Sequence, residues 1–126
     1  MKPALYVAFA ALLLAQGAAA DLTQADADRG AKLVAVCTAC HGDDGNSAAA
    51  DFPKLAGLGD KYLYKQLRDI RDGARPVALM AGQVDNMDDQ QLADIAAFYA
   101  AQDITGAQAD PEKVELGERI YRGGIA

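Results

Sequence analysis

The sequence predicts an all-α fold, and three observations carry that prediction. Apolar residues recur at helical spacing in three separate stretches, each bounded by residues that suit helix ends. Alanine is abundant, tryptophan is absent and β-branched residues are few, a composition that favours helices. No stretch alternates apolar and polar residues as a half-buried strand would.

The chain opens with what reads as a secretory signal peptide over residues 1–20. Met1-Lys2-Pro3 is a short basic start, Ala4 to Ala15 an apolar run, and Ala18-Ala19-Ala20 an A-x-A cleavage site before Asp21. The competing reading is an uncleaved anchor, but Ala4 to Ala20 contains Gln16 and Gly17 and lies at the bottom of the spanning range. No cysteine at the cut suggests a lipid anchor. Cleavage removes Lys2 and no acid, so 106 of the 126 residues remain and the net charge moves from −6 to −7. Such acidity argues against a nucleic-acid partner and is compatible with docking to a basic face. The apolar share of 52% is inflated by the leader, so the mature core is modest.

The first helix is expected from about Gln24 to Cys37, with Thr23 as N-cap and Ala27, Gly30, Ala31 and Val34 as a thin apolar stripe. Glycine inside a helix costs about 1 kcal/mol against alanine, so Gly30 implies a close helix crossing. This helix delivers Cys37-Thr38-Ala39-Cys40-His41, which holds both cysteines and the only histidine. C-x-x-C-H is the attachment signature of a c-type haem. Two thiols at this spacing reach the two vinyl groups on one haem edge, and the adjacent histidine is carried under the iron. A structural zinc site wants four such ligands, and a redox C-x-x-C would be expected beside a βαβ pattern. A plain disulfide leaves His41 and Gly42 unexplained. Haem c is therefore the expected cofactor, with its propionates adding to the acidity. The haem-free chain should be poorly ordered, because the macrocycle supplies apolar surface that a small domain lacks. Haem attachment outside the cytoplasm agrees with the leader and points to a Gram-negative periplasm.

Gly42-Asp43-Asp44-Gly45-Asn46-Ser47 is a turn cluster that lets the backbone leave the haem. The segment from Phe52 to Gly57 then passes back toward the proximal side. A metal-bound histidine donates its other ring N–H to a carbonyl or carboxylate, and the Pro53 carbonyl is the candidate acceptor. A proline that only shapes a turn is the alternative. The second helix is expected over about Lys61 to Asp72, with Asp60 as N-cap, Gly73 as its stop and Leu63, Leu67 and Ile70 as the buried stripe. Tyr62 and Gln66 flank that stripe.

No second histidine exists, so the sixth iron ligand cannot be another imidazole of this chain. Thioether sulfur is the usual partner in electron carriers and raises the potential. Met80 lies in the irregular segment from Arg75 to Gly82, which can fold over the distal face, and is favoured. Met87, or no methionine at all, is the alternative. The third helix is expected over about Asp89 to Gln102. Asp88 and Gln91 form its capping box, Met87 staples onto Leu92, and Leu92, Ile95, Ala96 and Tyr99 face the core with Phe98 beside them. Asp43, Asp44, Asp88 and Asp89 read as solvated structural groups rather than a general acid/base pair.

The stretches CTACHGDDGNS, FPKLAGLGDKYLYKQLRDIRDGAR and DDQQLADIAAFYAAQ, together with Met80, resemble class I cytochromes c. More specifically, they resemble the N-terminal half of the dihaem cytochrome c4 family, over most of residues 28–102. The resemblance implies a small class I cytochrome c fold of about three main helices wrapped around a covalent haem. It implies that Cys37 and Cys40 attach the haem, that His41 is proximal and Met80 distal, and that the Pro53 carbonyl receives the histidine N–H. Gly30 and Tyr99 match the crossing of first and last helices, and Tyr62, Gln66 and Arg75 fall around the propionates. Family members are periplasmic electron carriers, often associated with the membrane. The expected partners are therefore redox proteins: a donor such as a quinol-oxidising complex and an acceptor such as a terminal oxidase.

The expected division is a leader over 1–20, a monohaem domain over 21–102, a linker over 103–111 and a second domain beginning over 112–126. Residues Glu115 to Tyr121 echo Asp28 to Val34 at an offset of 87 residues. Family members carry two such domains, so the chain reads as a piece of a dihaem protein whose full length holds a second haem. A monohaem protein with a vestigial tail is the alternative, and in either case 112–126 is expected to be mobile. Two other functions compete with electron carriage: a five-coordinate haem that binds or acts on a small ligand, and a fixed relay subunit of a membrane complex. No candidate distal acid or base favours the first, and no lipobox favours the second.

Overall fold

A computed structural model describes residues 21–106 and 110–124, so the expected leader and the middle of the expected linker lie outside the described residues. The elements are a 3-10 turn at Leu22–Gln24, α1 (Ala27–Ala31), α2 (Ala35–His41), α3 (Asp60–Arg71), a 3-10 turn at Ala78–Met80, α4 (Asp89–Ala100) and α5 (Pro111–Gly123). Among the described residues there is no strand, so the all-α expectation holds.

The first expected helix is in fact two. Its N-cap is Asp26 rather than Thr23: the backbone is extended at Asp26, whose carboxylate accepts the Arg29 N–H at 2.9 Å. Thr23 belongs to the preceding 3-10 turn, where Asp21 accepts both its N–H and its hydroxyl. At Lys32–Val34 the ladder tightens to three-residue bonds, with Leu33 N–H donating to the Gly30 carbonyl at 2.8 Å. α2 then restarts and runs on to His41, past the expected end at Cys37.

α4 is the centre of the fold. Asp88 accepts the Gln91 N–H at 2.8 Å while the Gln91 side chain accepts the Asp88 N–H at 2.9 Å, a complete capping box. Leu92, Ile95, Ala96 and Tyr99 are all buried. α1 crosses α4 at Gly30, where a Cβ would overlap the Asp94 carbonyl and stand 2.9 Å from Phe98 Cβ. Because successive helical residues point about 100° apart, seating Gly30 at this seam turns Ala31 to solvent, and the expected stripe loses it. Asp94, 3% exposed, ties the crossing together. It accepts the Asp26 N–H at 2.9 Å, Arg29 Nε at 2.7 Å, Arg29 Nη2 at 2.8 Å and Gln90 Nε2 at 3.0 Å. Burial by itself would push this carboxyl up, but the bonds from Arg29, Gln90 and Asp26 outweigh burial and hold it below the usual carboxylate range.

α3 packs on the same helix through Leu63 and Tyr64, with Leu67 and Ile70 partly buried. Its N-cap is Gly59, and Asp60 is its first helical residue, accepting the Lys61 N–H at 2.7 Å. Gly73, at φ +76°, closes it. Arg71 pairs with Asp89 at 2.7 Å and donates to the Met87 carbonyl at 3.1 Å, pinning the end of α3 to the start of α4.

Residues 103–105 pack back on the loop that follows α2. Thr105 N–H donates to Asn46 Oδ1 at 2.8 Å, Lys54 Nζ to the Thr105 carbonyl at 2.9 Å, and Ile104 lies over Gly57. Pro111, assigned by sequence to the linker, is the first residue of α5, with Asp110 as its N-cap. No residue of α5 is buried; it carries Arg119–Glu115 and Arg122–Glu118 pairs at i,i+4.

Candidate functional site

Cys37 and Cys40 lie three apart on α2, a spacing that puts both side chains on one helix face. They are unpaired, and Cys37 is half-buried while Cys40 is exposed. His41 ends the helix. Gly42 follows at φ +80°, its N–H returning to the Thr38 carbonyl at 3.0 Å, so the chain turns away immediately after the imidazole.

The loop then comes back under His41. Asp44 accepts the Asn46 side-chain amide at 2.9 Å and the Asn46 N–H at 2.9 Å, and these bonds, the side-chain one first, draw its carboxyl below the ordinary value. Gly45 O accepts the Leu55 N–H at 2.8 Å. Gly45 must lack a side chain: its φ is +80° and a Cβ would stand 2.7 Å from the Tyr99 ring. The loop thereby places the Pro53 carbonyl 2.9 Å from His41 Nδ1. A carbonyl only accepts, so Nδ1 carries a proton, and in the neutral imidazole the lone pair is then on Nε2. The imidazole is 7% exposed, with Phe52 edge-on at 6.2 Å.

His41, Cys37 and Cys40 line a cleft of about 1140 Å³, its open mouth included. Leu55, Leu58, Leu63, Leu67, Ile95 and Tyr99 supply much of its wall. Met80, at the end of the second 3-10 turn, lines the same cleft; Met87 is not among the lining residues and packs on the core at the start of α4. Pro53, Tyr62, Gln66 and Arg75 line it too. Tyr62 is 54% exposed, and Arg75 donates to Gln66 Oε1 at 2.7 Å, so these three, with Asp51 and Lys54, bring polarity to a mostly apolar cleft. Sequence reasoning did not single out Val77, Leu79 and Val84 as lining residues. The signal was present in the apolar run Val77 to Met80, of which Leu79 is 71% exposed.

The residues present fit a haem. The cleft is lined mostly by apolar side chains, as cofactor sites are. Two unpaired thiols at C-x-x-C spacing open onto it, beside an imidazole whose free nitrogen is fixed by the bond on the other. A thioether from a separate segment enters the same space. Among the described residues no cluster of three or more His, Cys, Asp and Glu is placed to hold a metal ion.

Residues 27–101 match the family model for cytochrome c. The chain is 54% identical over 99 residues to cytochrome c4 of Pseudomonas aeruginosa, covering 79% of this chain and 49% of that protein. It is 52% identical over 108 residues to cytochrome c4 of Azotobacter vinelandii, covering 79% and 51%. The reduced recombinant cytochrome c4 from Pseudomonas stutzeri superposes with a TM-score of 0.75 at 47% identity, over 80% of this chain and 58% of that one. The chain thus spans about half the length of the curated relatives it matches.

Proposed function

This chain belongs to the cytochrome c family, in its cytochrome c4 branch, and on that premise we propose that it carries single electrons through a His/Met-ligated haem c. The observation that carries the reading is the fixed imidazole. His41 has Nδ1 committed to the Pro53 carbonyl and Nε2 free, in a cleft it shares with Cys37, Cys40 and Met80. A haem bound there supplies a one-electron iron couple.

The chain's own residues do the rest. Cys37 and Cys40 would hold the haem covalently through their sulfurs, each thiol's hydrogen passing to the vinyl carbon that its sulfur leaves free. His41 Nε2 and Met80 Sδ are the two side-chain donors that would hold the iron of such a group. The Pro53 carbonyl keeps the proton on Nδ1, which raises the donor strength of Nε2 and stops the ring rotating. The apolar wall excludes water, and Arg75, Gln66 and Tyr62 offer hydrogen bonds to propionates. Held by both His41 and Met80, the group would offer single-electron transfer rather than an open position for a substrate.

On this reading the protein works in the periplasm, between a donor such as a quinol-oxidising complex and an acceptor such as a terminal oxidase. The leader-like residues 1–20 support the compartment, and no described helix is long and apolar enough to cross a membrane. Spectroelectrochemical titration of protein matured in a periplasm tests the reading. One reversible one-electron wave, with a ferrous form that does not take up carbon monoxide, is expected. Immediate carbon monoxide uptake would show an open axial position and overturn it.

A further inference from the structure

Tyr99 presents a polar atom that the fold leaves unused. The side chain is 2% exposed and lines the cleft, and its hydroxyl is fully buried with no hydrogen-bond partner. Leaving a buried hydroxyl unpaired is costly, whereas a phenylalanine would fill the same space without that cost. Cys37 is half-buried against the core cluster to which Tyr99 belongs and lines the same cleft. Haem chemistry selects between the acceptors the cleft can gain. Cysteines attach at the vinyl edge, and the carboxylates lie on the opposite edge, so a hydroxyl grouped with Cys37 meets sulfur rather than a propionate. Resting on the covalent-haem reading above, we propose that the Tyr99 hydroxyl donates a hydrogen bond to the Cys37 sulfur of the mature protein and thereby tunes the potential.

The phenol is well placed to act only as a donor. Burial first, and then the neighbouring Cys37, push its ionisation far above the usual tyrosine range, so the O–H persists at any physiological pH. A donor to the sulfur draws electron density from the haem edge and favours the electron-rich reduced state, as hydrogen bonds to ligand sulfurs do in other iron centres. Tyr99 is in this sense a positioning and tuning residue, because it acts through Cys37.

The test is Tyr99→Phe in the holoprotein, which keeps the ring against Gly45 and removes only the hydroxyl. The reduction equilibrium constant should fall about threefold, which at 59 mV per tenfold for one electron is about 28 mV toward lower potential. The carbon–sulfur stretch of one thioether should shift in the resonance Raman spectrum. An unchanged potential together with an unchanged stretch overturns the proposal, even with both thioethers and the axial ligands intact. Failure to find two thioethers in the wild type would instead defeat the haem reading beneath it. Should Tyr99→Phe not fold, proton NMR of wild-type ferrous protein decides the matter. A slowly exchanging Tyr99 hydroxyl proton close to the Cys37 β-protons supports the bond, and a freely exchanging one overturns it.

Discussion

Replacing Gly30 by alanine probes the crossing on which the cleft is built. The added Cβ would overlap the Asp94 carbonyl oxygen and stand 2.6 Å from its carbon and 2.9 Å from Phe98 Cβ, where ordinary contact begins near 3.4 Å. Two of these three atoms are backbone and cannot swing aside, so α1 and α4 must part. Overpacking of this kind costs about 1–3 kcal/mol. Parting the helices also stretches the bonds from Asp26 and Arg29 to the buried Asp94, and bonds to a charged group contribute about 1.5–3 kcal/mol each. Alanine returns about 1 kcal/mol of helix propensity. The balance is a loss of roughly 2–4 kcal/mol, a large share of the 5–15 kcal/mol typical of a domain. Urea unfolding of the holoprotein followed by circular dichroism measures it. Gly117→Ala in α5 is the internal control: a Cβ there meets nothing within 4 Å, so the midpoint should stay or rise. A Gly30→Ala midpoint equal to or above that of wild type would refute the packing argument.

Further outcomes follow from the same geometry. Asp94→Asn should destabilise the holoprotein by about 1.5–3 kcal/mol at neutral pH by weakening its bonds to Arg29. Because the folded pKa of Asp94 is depressed, its stabilisation is present above the unfolded value near 4 and lost as pH falls through the folded one. Acid titration of stability should therefore be flatter in Asp94→Asn, and an unchanged acid limb would exclude the pair as a pH-dependent contributor. Deleting residues 110–124, none of them buried, should move the unfolding free energy of the haem domain by no more than about 0.5 kcal/mol; a larger loss in thermal melts would reveal a packing role for α5. Haem-free protein should show far less helix by circular dichroism, because the cleft would expose an apolar wall. Full native helicity would contradict that.

Local chemistry made much of this fold legible. The α4 capping box and the Gly73 stop are encoded within a few residues of where they act, and sequence reading places them well. The C-x-x-C-H motif is equally local, and it puts the two thiols and the imidazole at one cleft without any knowledge of packing. What escapes is non-local. Thr23 and Asp26 are both good caps, and only the extended backbone at Asp26 decides between them. Asp94 reads in sequence as one more exposed acid on a helix, because its partner Arg29 lies 65 positions away. The binding of residues 103–105 to Asn46 and Lys54 is hidden for the same reason. The two methionines are alike in composition and close in sequence. They differ in that only Met80 lies on a segment lining the cleft.

That difference gives the most direct test. Optical spectra of periplasmically matured wild type, Met80→Ala and Met87→Ala should be recorded oxidised and reduced. The sulfur–ferric iron charge-transfer band should be present in wild type and Met87→Ala and absent only in Met80→Ala, whose ferrous form should then take up carbon monoxide. A wild type without that band, or a Met80→Ala that keeps it, would contradict His/Met ligation through His41 and Met80.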